Sequence, residues 1–268
     1  MVNGIYTIDA HCHIYPEKIA VKAVNGTDNF YGEKSVGTGT VSNLIELGEA
    51  AGIDRFVVQS VATTPHQVKS INDFIASEVN ENRNKLIGLG TLHPDSEDIK
   101  GDIEYLISLG LKGVKLHPDI QAFKIDDYRC LKIYELCEER GLPVLMHTGD
   151  NRYDYSNPNR LLPVLQIYKN LTVIGAHLGG WSIWEEAVEA YKGIENFYVD
   201  CSSSFNYLEK ETAKRIIRTY GADKVLFGTD YPMWSPKGEI EYFLSLGLEK
   251  WEIECILNIN AKKVFGLE

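Results

Sequence analysis

Asp9, His11 and His13 stand two residues apart in the run YTIDAHCHIYP. Side chains on a strand alternate between faces, so all three would project to one side. Two imidazoles beside a carboxylate are donors that take a divalent metal. Further polar residues follow short apolar runs: Lys115 and His117 in GVKLHP, His147 in VLMHTGD, His177 in VIGAHLGG, and Asp230 in LFGTDYP. A lone buried histidine is more often a hydrogen-bonded core residue than a ligand. The four histidines His11, His13, His147 and His177 with Asp230, each ending an apolar run, indicate a metal site. Imidazole nitrogen with carboxylate oxygen suits zinc best, with manganese, iron or cobalt open to the same ligands. Asp9 reads as a carboxylate orienting one of the strand imidazoles. Asp200, in YVDCSS, reads equally as a mouth residue or a buried hydrogen-bonded carboxylate.

Residues this far apart in sequence meet only if the runs carrying them are neighbours. Strands are expected near Tyr6–Asp9, Phe56–Ser60, Leu86–Thr91, Gly113–Leu116, Val144–His147, Thr172–Gly175, Phe197–Cys201 and Val225–Gly228, with helical stretches between them. Short apolar strands of this kind belong to parallel sheets covered on both faces. Eight of them alternating with helices predict a (β/α)8 TIM barrel, one domain over residues 1–268, whose strand ends share one mouth. A doubly wound open sheet is the runner-up. TPHQ offers Thr64 as a helix cap with Gln67 closing a capping box, and SIWE does the same with Ser182 and Glu185. The segment Ile14–Thr40, long and rich in Gly and Asn, is expected to be a functional loop forming part of an active-site lid. His117, Trp181 and Tyr231, close behind strand ends, are the expected substrate contacts, with Trp234 a further wall.

The net charge of −11 disfavours nucleic acid or an anionic membrane surface as partner. The opening MVNGIYTIDA lacks the pattern of a signal peptide, and no apolar run approaches the roughly 20 residues that cross a bilayer. Five cysteines without a CxxC pair argue against a disulfide framework. A cytoplasmic enzyme acting on a small molecule is expected. Its oligomeric state stays open, with a homodimer as one option.

The motifs DAHCH, GVKLHP, a strand-end His147, GAHLGG followed by WSIWEEA, and GTDYP, in this order, resemble the amidohydrolase superfamily. Within it the chain is most similar to the branch that includes lactonases and the aminocarboxymuconate-semialdehyde decarboxylase type. The resemblance runs from Asp9 to Pro232. It implies that His11, His13, His147 and Asp230 bind one divalent metal, with His177 hydrogen-bonding water or substrate. Asp230 would then act as base and His177 as a catalytic partner. Binuclear superfamily members bridge two metals with a carboxylated lysine after the fourth strand, which makes Lys115 the candidate for a second, less favoured metal. The expected reaction is hydrolysis of a lactone, ester or amide-like bond through a metal-activated water. The alternative is decarboxylation of an aromatic or unsaturated acid, placed second because decarboxylases of the branch are expected to be longer. TatD-type and polymerase-and-histidinol-phosphatase phosphoesterases share the DxHxH opening and form a minor alternative.

Overall fold

The structure, a computed structural model, describes all residues from Met1 to Glu268. Its strands are β1 (Ile8–His13), β2 (Arg55–Gln59), β3 (Leu86–Gly88, resuming at Gly90–Thr91), β4 (Val114–Leu116), β5 (Val144–Met146), β6 (Val173–Gly175), β7 (Phe197–Asp200) and β8 (Val225–Leu226). All paired neighbours run parallel. The ring closes where Ala10 N–H donates to Phe227 O (2.8 Å) and Asp230 N–H to His11 O (2.9 Å). The expected eight-stranded barrel is therefore present.

Alternation along the strands divides the apolar residues. Val114, Val144, Val173, Val199 and Val225 belong to the large cluster between barrel and helices. Val57, Leu89, Leu145, Ile174 and Leu226 belong to a small cluster inside the barrel, joined by Phe265 from the last helix. On β4 this alternation gives Lys115 and His117 the inward direction, opposite to Val114 and Leu116.

The first strand breaks the alternation. Asp9 pairs with Phe56 and Cys12 with Val58, so β1 takes three steps where β2 takes two. Phe56 and Val58 face outward, and Asp9 lies on their side; His13, opposite Gln59, lies on the inner side. The extra residue is a bulge, a device that re-aims side chains beside active sites. It overturns the expectation that Asp9 shares a face with both histidines and orients an imidazole. The Asp9 carboxylate accepts instead from the backbone of His11 (3.1 Å) and Thr229 (3.0 Å) and from the Thr229 hydroxyl (2.6 Å). It pins β1 to the turn after β8.

The helices are α1 (Glu17–Tyr31), α2 (Val41–Ala50), α3 (Val68–Glu81), α4 (Ile99–Ser108), α5 (Pro118–Gln121), α6 (Tyr128–Arg140), α7 (Pro158–Ile167), α8 (Trp184–Tyr191), α9 (Lys210–Tyr220), α10 (Pro236–Leu244), α11 (Lys250–Glu254) and α12 (Asn260–Phe265). None is long and apolar enough to cross a membrane. The expected loop at Ile14–Thr40 is mostly helix: α1 buries Ala20 and Val24 despite its internal Asn25 and Gly26. Gln67 Oε1 accepts the Thr64 N–H, as the capping box requires. Ser182 does not cap α8; it has φ 66°, and the helix starts behind Ile183.

Candidate metal centre and active site

His11 and His13 leave the bulged end of β1, and Asp230 follows β8. Gly228 permits their approach, since a Cβ there would stand 2.9 Å from the His11 Cβ. Asp230, Ser203 and His177 all have positive φ (57°, 48° and 61°). The left-handed region costs an ordinary residue roughly 1–2 kcal/mol, and such residues cluster at functional sites.

The Nε2 atoms of His11 and His13 are 3.2 Å apart, and Asp230 Oδ1 lies 3.3 Å from the first and 3.6 Å from the second. Ligand atoms at about 2.1 Å from a tetrahedral ion stand roughly 3.4 Å from one another. The trio thus has the spacing of a coordination shell. The lone pairs are also directed. Asp200 Oδ2 lies 2.9 Å from His11 Nδ1, so a neutral His11 donates there and presents Nε2 bare. Ser203 Oγ donates to Asp230 Oδ2 (2.6 Å) and itself accepts from Trp234 Nε1 (2.7 Å), leaving Oδ1 to face the histidines. Burial, then the nearby Lys115 charge, holds both imidazoles well below their usual pKa, in the neutral form that binds metal. These residues fit a divalent ion.

Lys115 is buried, with Nζ 3.0 Å from His11 Nε2. Burial pushes its pKa down, against the opposing pull of Asp230 and Asp200. It belongs to this one cluster.

His147 is placed differently from the other expected ligands. Its Nδ1 lies 3.0 Å from His177 Nε2, and its Nε2, without a hydrogen-bond partner, faces Asp119 Oδ2 at 3.5 Å. His177 in turn stacks on His11, with centroids 5.4 Å apart. The rings form one run, His13–His11–His177–His147–His117, across the barrel mouth. His177 Nδ1 is 3.0 Å from the Ser202 carbonyl, so a neutral ring donates there and turns a bare Nε2 toward His147. Burial pulls the His177 pKa down to about 3 and pushes the Asp119 carboxyl up to about 7.

A pocket lies over this run, lined by His147, His177 and Asp230 and by the rings of Tyr31, Trp181, Tyr207 and Trp234. Trp181 and Trp234 therefore stand where the sequence expects walls. His117 does not line the pocket; it lies flat on His147, centroids 4.1 Å apart, and meets the Tyr31 hydroxyl at 2.8 Å. Tyr231 is a correction. Its side chain is fully buried under the β1–α2 connection, with the hydroxyl accepting from Gly39 N–H (3.1 Å) and lying 3.0 Å from Thr40 O. Tyr31, Asp119, Ser203 and Tyr207 are among the site residues that sequence reasoning missed. Asp119 follows His117 by two residues and Ser203 follows Asp200 by three, but Asp119 lies in the short helix α5 and Ser203 in a turn, where strand periodicity says nothing. Tyr31 lay inside the segment expected to be a loop.

The 2-amino-3-carboxymuconate-6-semialdehyde decarboxylase of Dictyostelium discoideum is 27% identical to this chain, over 63% of the chain and 57% of that protein. The chain thus spans little more than half of that relative. Among solved structures, an uncharacterized TIM-barrel protein from Bordetella bronchiseptica superposes with a TM-score of 0.82 at 23% identity, covering 98% of this chain and 99% of that one. The 5-carboxyvanillate decarboxylase of Sphingomonas paucimobilis superposes with a TM-score of 0.76 at 16% identity, covering 99% and 100%. The family model described as amidohydrolase matches residues 8–267, nearly the whole barrel with every residue of the imidazole run, and the chain belongs to that family of metal-dependent enzymes.

Proposed function

We propose that this enzyme is a metal-dependent decarboxylase of a flat, conjugated carboxylic acid. The observation that carries the reading is the aromatic slot over the His/Asp cluster. Tyr31 meets Trp181 edge-on at 5.2 Å, and Tyr207 lies edge-on to Trp181 (6.0 Å) and Trp234 (6.1 Å). Rings so placed wall the cluster with apolar faces and edges that suit a planar molecule, and conjugation is what decarboxylation needs to receive the electron pair of the broken C–C bond. The decarboxylases among the relatives support the same reading. The Dictyostelium decarboxylase is the longer protein, as expected, whereas the superposition on the carboxyvanillate enzyme covers 99% of this chain and 100% of that one, so the shared barrel is compatible with either reaction.

His11, His13 and Asp230 would hold one divalent ion, with His147 the fourth expected donor. When bound, the ion supplies Lewis acidity that draws charge from an oxygen-bearing substrate. Two imidazoles favour zinc; manganese, bound in the dihydroxybenzoic acid decarboxylase of Polaromonas, is the rival. The remaining chemistry falls to the chain. The slot orients the acid and excludes water. Asp230, whose carboxyl pKa is pushed up to about 7 by burial, is a pocket group able to hold the proton that replaces the departing carboxylate, with His177 beside it. Hydrolysis is the second reading, since the same two groups suit a base and an oxyanion partner.

A panel of hydroxybenzoates, unsaturated dicarboxylates and lactones, incubated with enzyme loaded with zinc or manganese, decides between the readings. Carbon dioxide release from the acids, without acid production from the lactones, is expected. Acid production from lactones without carbon dioxide would make hydrolysis the reaction.

A further inference from the structure

Tyr31 closes α1, and its ring enters the pocket beside Trp181. The hydroxyl lies 2.8 Å from His117 Nε2 and has no other hydrogen-bond partner in the protein. The second nitrogen of His117 decides who donates. His117 caps the short helix α5, and its Nδ1 accepts the backbone N–H of Ile120 at 3.2 Å. A nitrogen that accepts an amide hydrogen carries none of its own, so the ring is neutral with its hydrogen on Nε2. His117 is therefore the donor and the Tyr31 oxygen the acceptor. The phenol keeps its own O–H unspent, in a pocket it shares with His147, His177 and Asp230.

The phenol is also held in place. Arg152 forms a two-pronged pair with the buried Asp150 (Nε–Oδ1 3.0 Å, Nη2–Oδ2 2.7 Å) and donates to the Phe30 carbonyl (2.7 Å), the residue before Tyr31. Its guanidinium lies 5.2 Å from the Tyr31 ring and 5.3 Å from that of Trp181. Loop, helix end and ring are thus tied together, and the O–H is presented from a fixed position.

We propose that Tyr31, set by His117, is a substrate-binding residue whose hydroxyl donates to an anionic or carbonyl oxygen that the substrate keeps through the reaction. A donor on the departing carboxylate would hold charge where charge must leave, so the partner is a second oxygen group. The substrate class is then a planar acid bearing a further carboxylate, carbonyl or hydroxyl. That this oxygen is a retained one rests on the decarboxylase reading; the donor assignment does not.

The test uses metal-loaded enzyme and three probes: benzoate, salicylate and isophthalate. Their dissociation constants are read from quenching of tryptophan fluorescence, with Trp181 and Trp234 beside the pocket. Wild type is expected to bind salicylate or isophthalate at least about 10-fold more tightly than benzoate. In Tyr31→Phe that ratio falls to about one while benzoate binding is unchanged. In His117→Phe, which keeps a ring against His147 but cannot donate, the ratio falls partway. A Tyr31→Phe variant that keeps the ratio, or that loses all three probes alike, overturns the proposal. Tight binding of these acids with no carbon dioxide released would sink the decarboxylase reading and leave Tyr31 standing. Binding of none of the three by wild type would refute the substrate class itself.

Discussion

Asp200 Oδ2 lies 2.9 Å from His11 Nδ1, with both side chains buried and the two residues 189 positions apart in sequence. The contact fixes which nitrogen of His11 faces His13 and Asp230. Asp200 also accepts, through Oδ1, from the backbone of His177 (3.2 Å) and Ser202 (3.0 Å), so one carboxylate sets two rings of the imidazole run. Asp200→Asn keeps the shape but has only one acceptor oxygen to divide between these duties. Metal affinity should fall about 10- to 100-fold, the usual cost of losing a carboxylate behind a ligating histidine. Competition against a chelator of known affinity measures it. Unchanged affinity would mean that Asp200 serves the fold alone.

Asp230→Asn and His177→Asn should separate holding the metal from turnover. Asparagine tolerates the left-handed backbone of residue 230 and keeps one oxygen for the ion, so binding should weaken without vanishing. It cannot carry the proton, and turnover should drop on the order of 10² to 10⁴. His177→Asn should lose rate and keep its metal, because the His11, His13 and Asp230 cluster does not include it. Metal content and rate, measured together at saturating zinc, decide the matter. Loss of metal from His177→Asn would make His177 a ligand.

The barrel was legible because each strand is a short apolar run and each chemical residue follows one. His11, His13, His177 and Asp230 announce themselves by type and position. Asp9 did not read correctly, because a one-residue bulge inverts strand parity and no residue in IDAHCH marks it. Tyr31 was hidden for a different reason. Asn25 and Gly26 look like breakers, but Ala20 and Val24 bury enough surface to hold the helix against that propensity. Tyr231 follows Asp230 directly, and adjacency suggested a pocket wall. The cis bond to Pro232 instead accompanies a ring packed against Gly37. Contacts of this kind, between a turn and a distant connection, leave no periodic trace.

Gly228→Ala should damage the site through packing alone. Its backbone needs no positive φ, but the new methyl would stand 2.9 Å from His11 Cβ and 3.3 Å from Ser202 Cβ. The two strands at the barrel seam must part, at a cost of about 1–3 kcal/mol. A lower melting temperature and weaker metal binding should appear together. Retention of both would show that the seam relaxes without moving His11.

Glu239→Gln should change how stability depends on pH. Glu239 is buried in α10, with Asn206 donating to Oε1 (2.9 Å) and no partner at Oε2. Burial, joined by the negative charges of Asp9 and Asp230, pushes its pKa up from the usual 4.5 to about 8. The folded protein therefore holds this proton more tightly than the unfolded chain. The stabilisation is complete below about pH 4.5, where both states are protonated. Between about 4.5 and 8 the unfolded chain ionises while the folded one does not, and stability is lost with each step in pH. Above about 8 both are ionised and the loss stops growing. Glutamine keeps the oxygen that Asn206 needs and cannot ionise. The melting temperature of Glu239→Gln relative to wild type should therefore rise from pH 5 to pH 8 and level off beyond. Taking the difference between two proteins cancels every other titrating group they share. A difference that stays flat across this range would show that Glu239 ionises at its ordinary pH in the folded protein, and that α10 carries its charge without penalty.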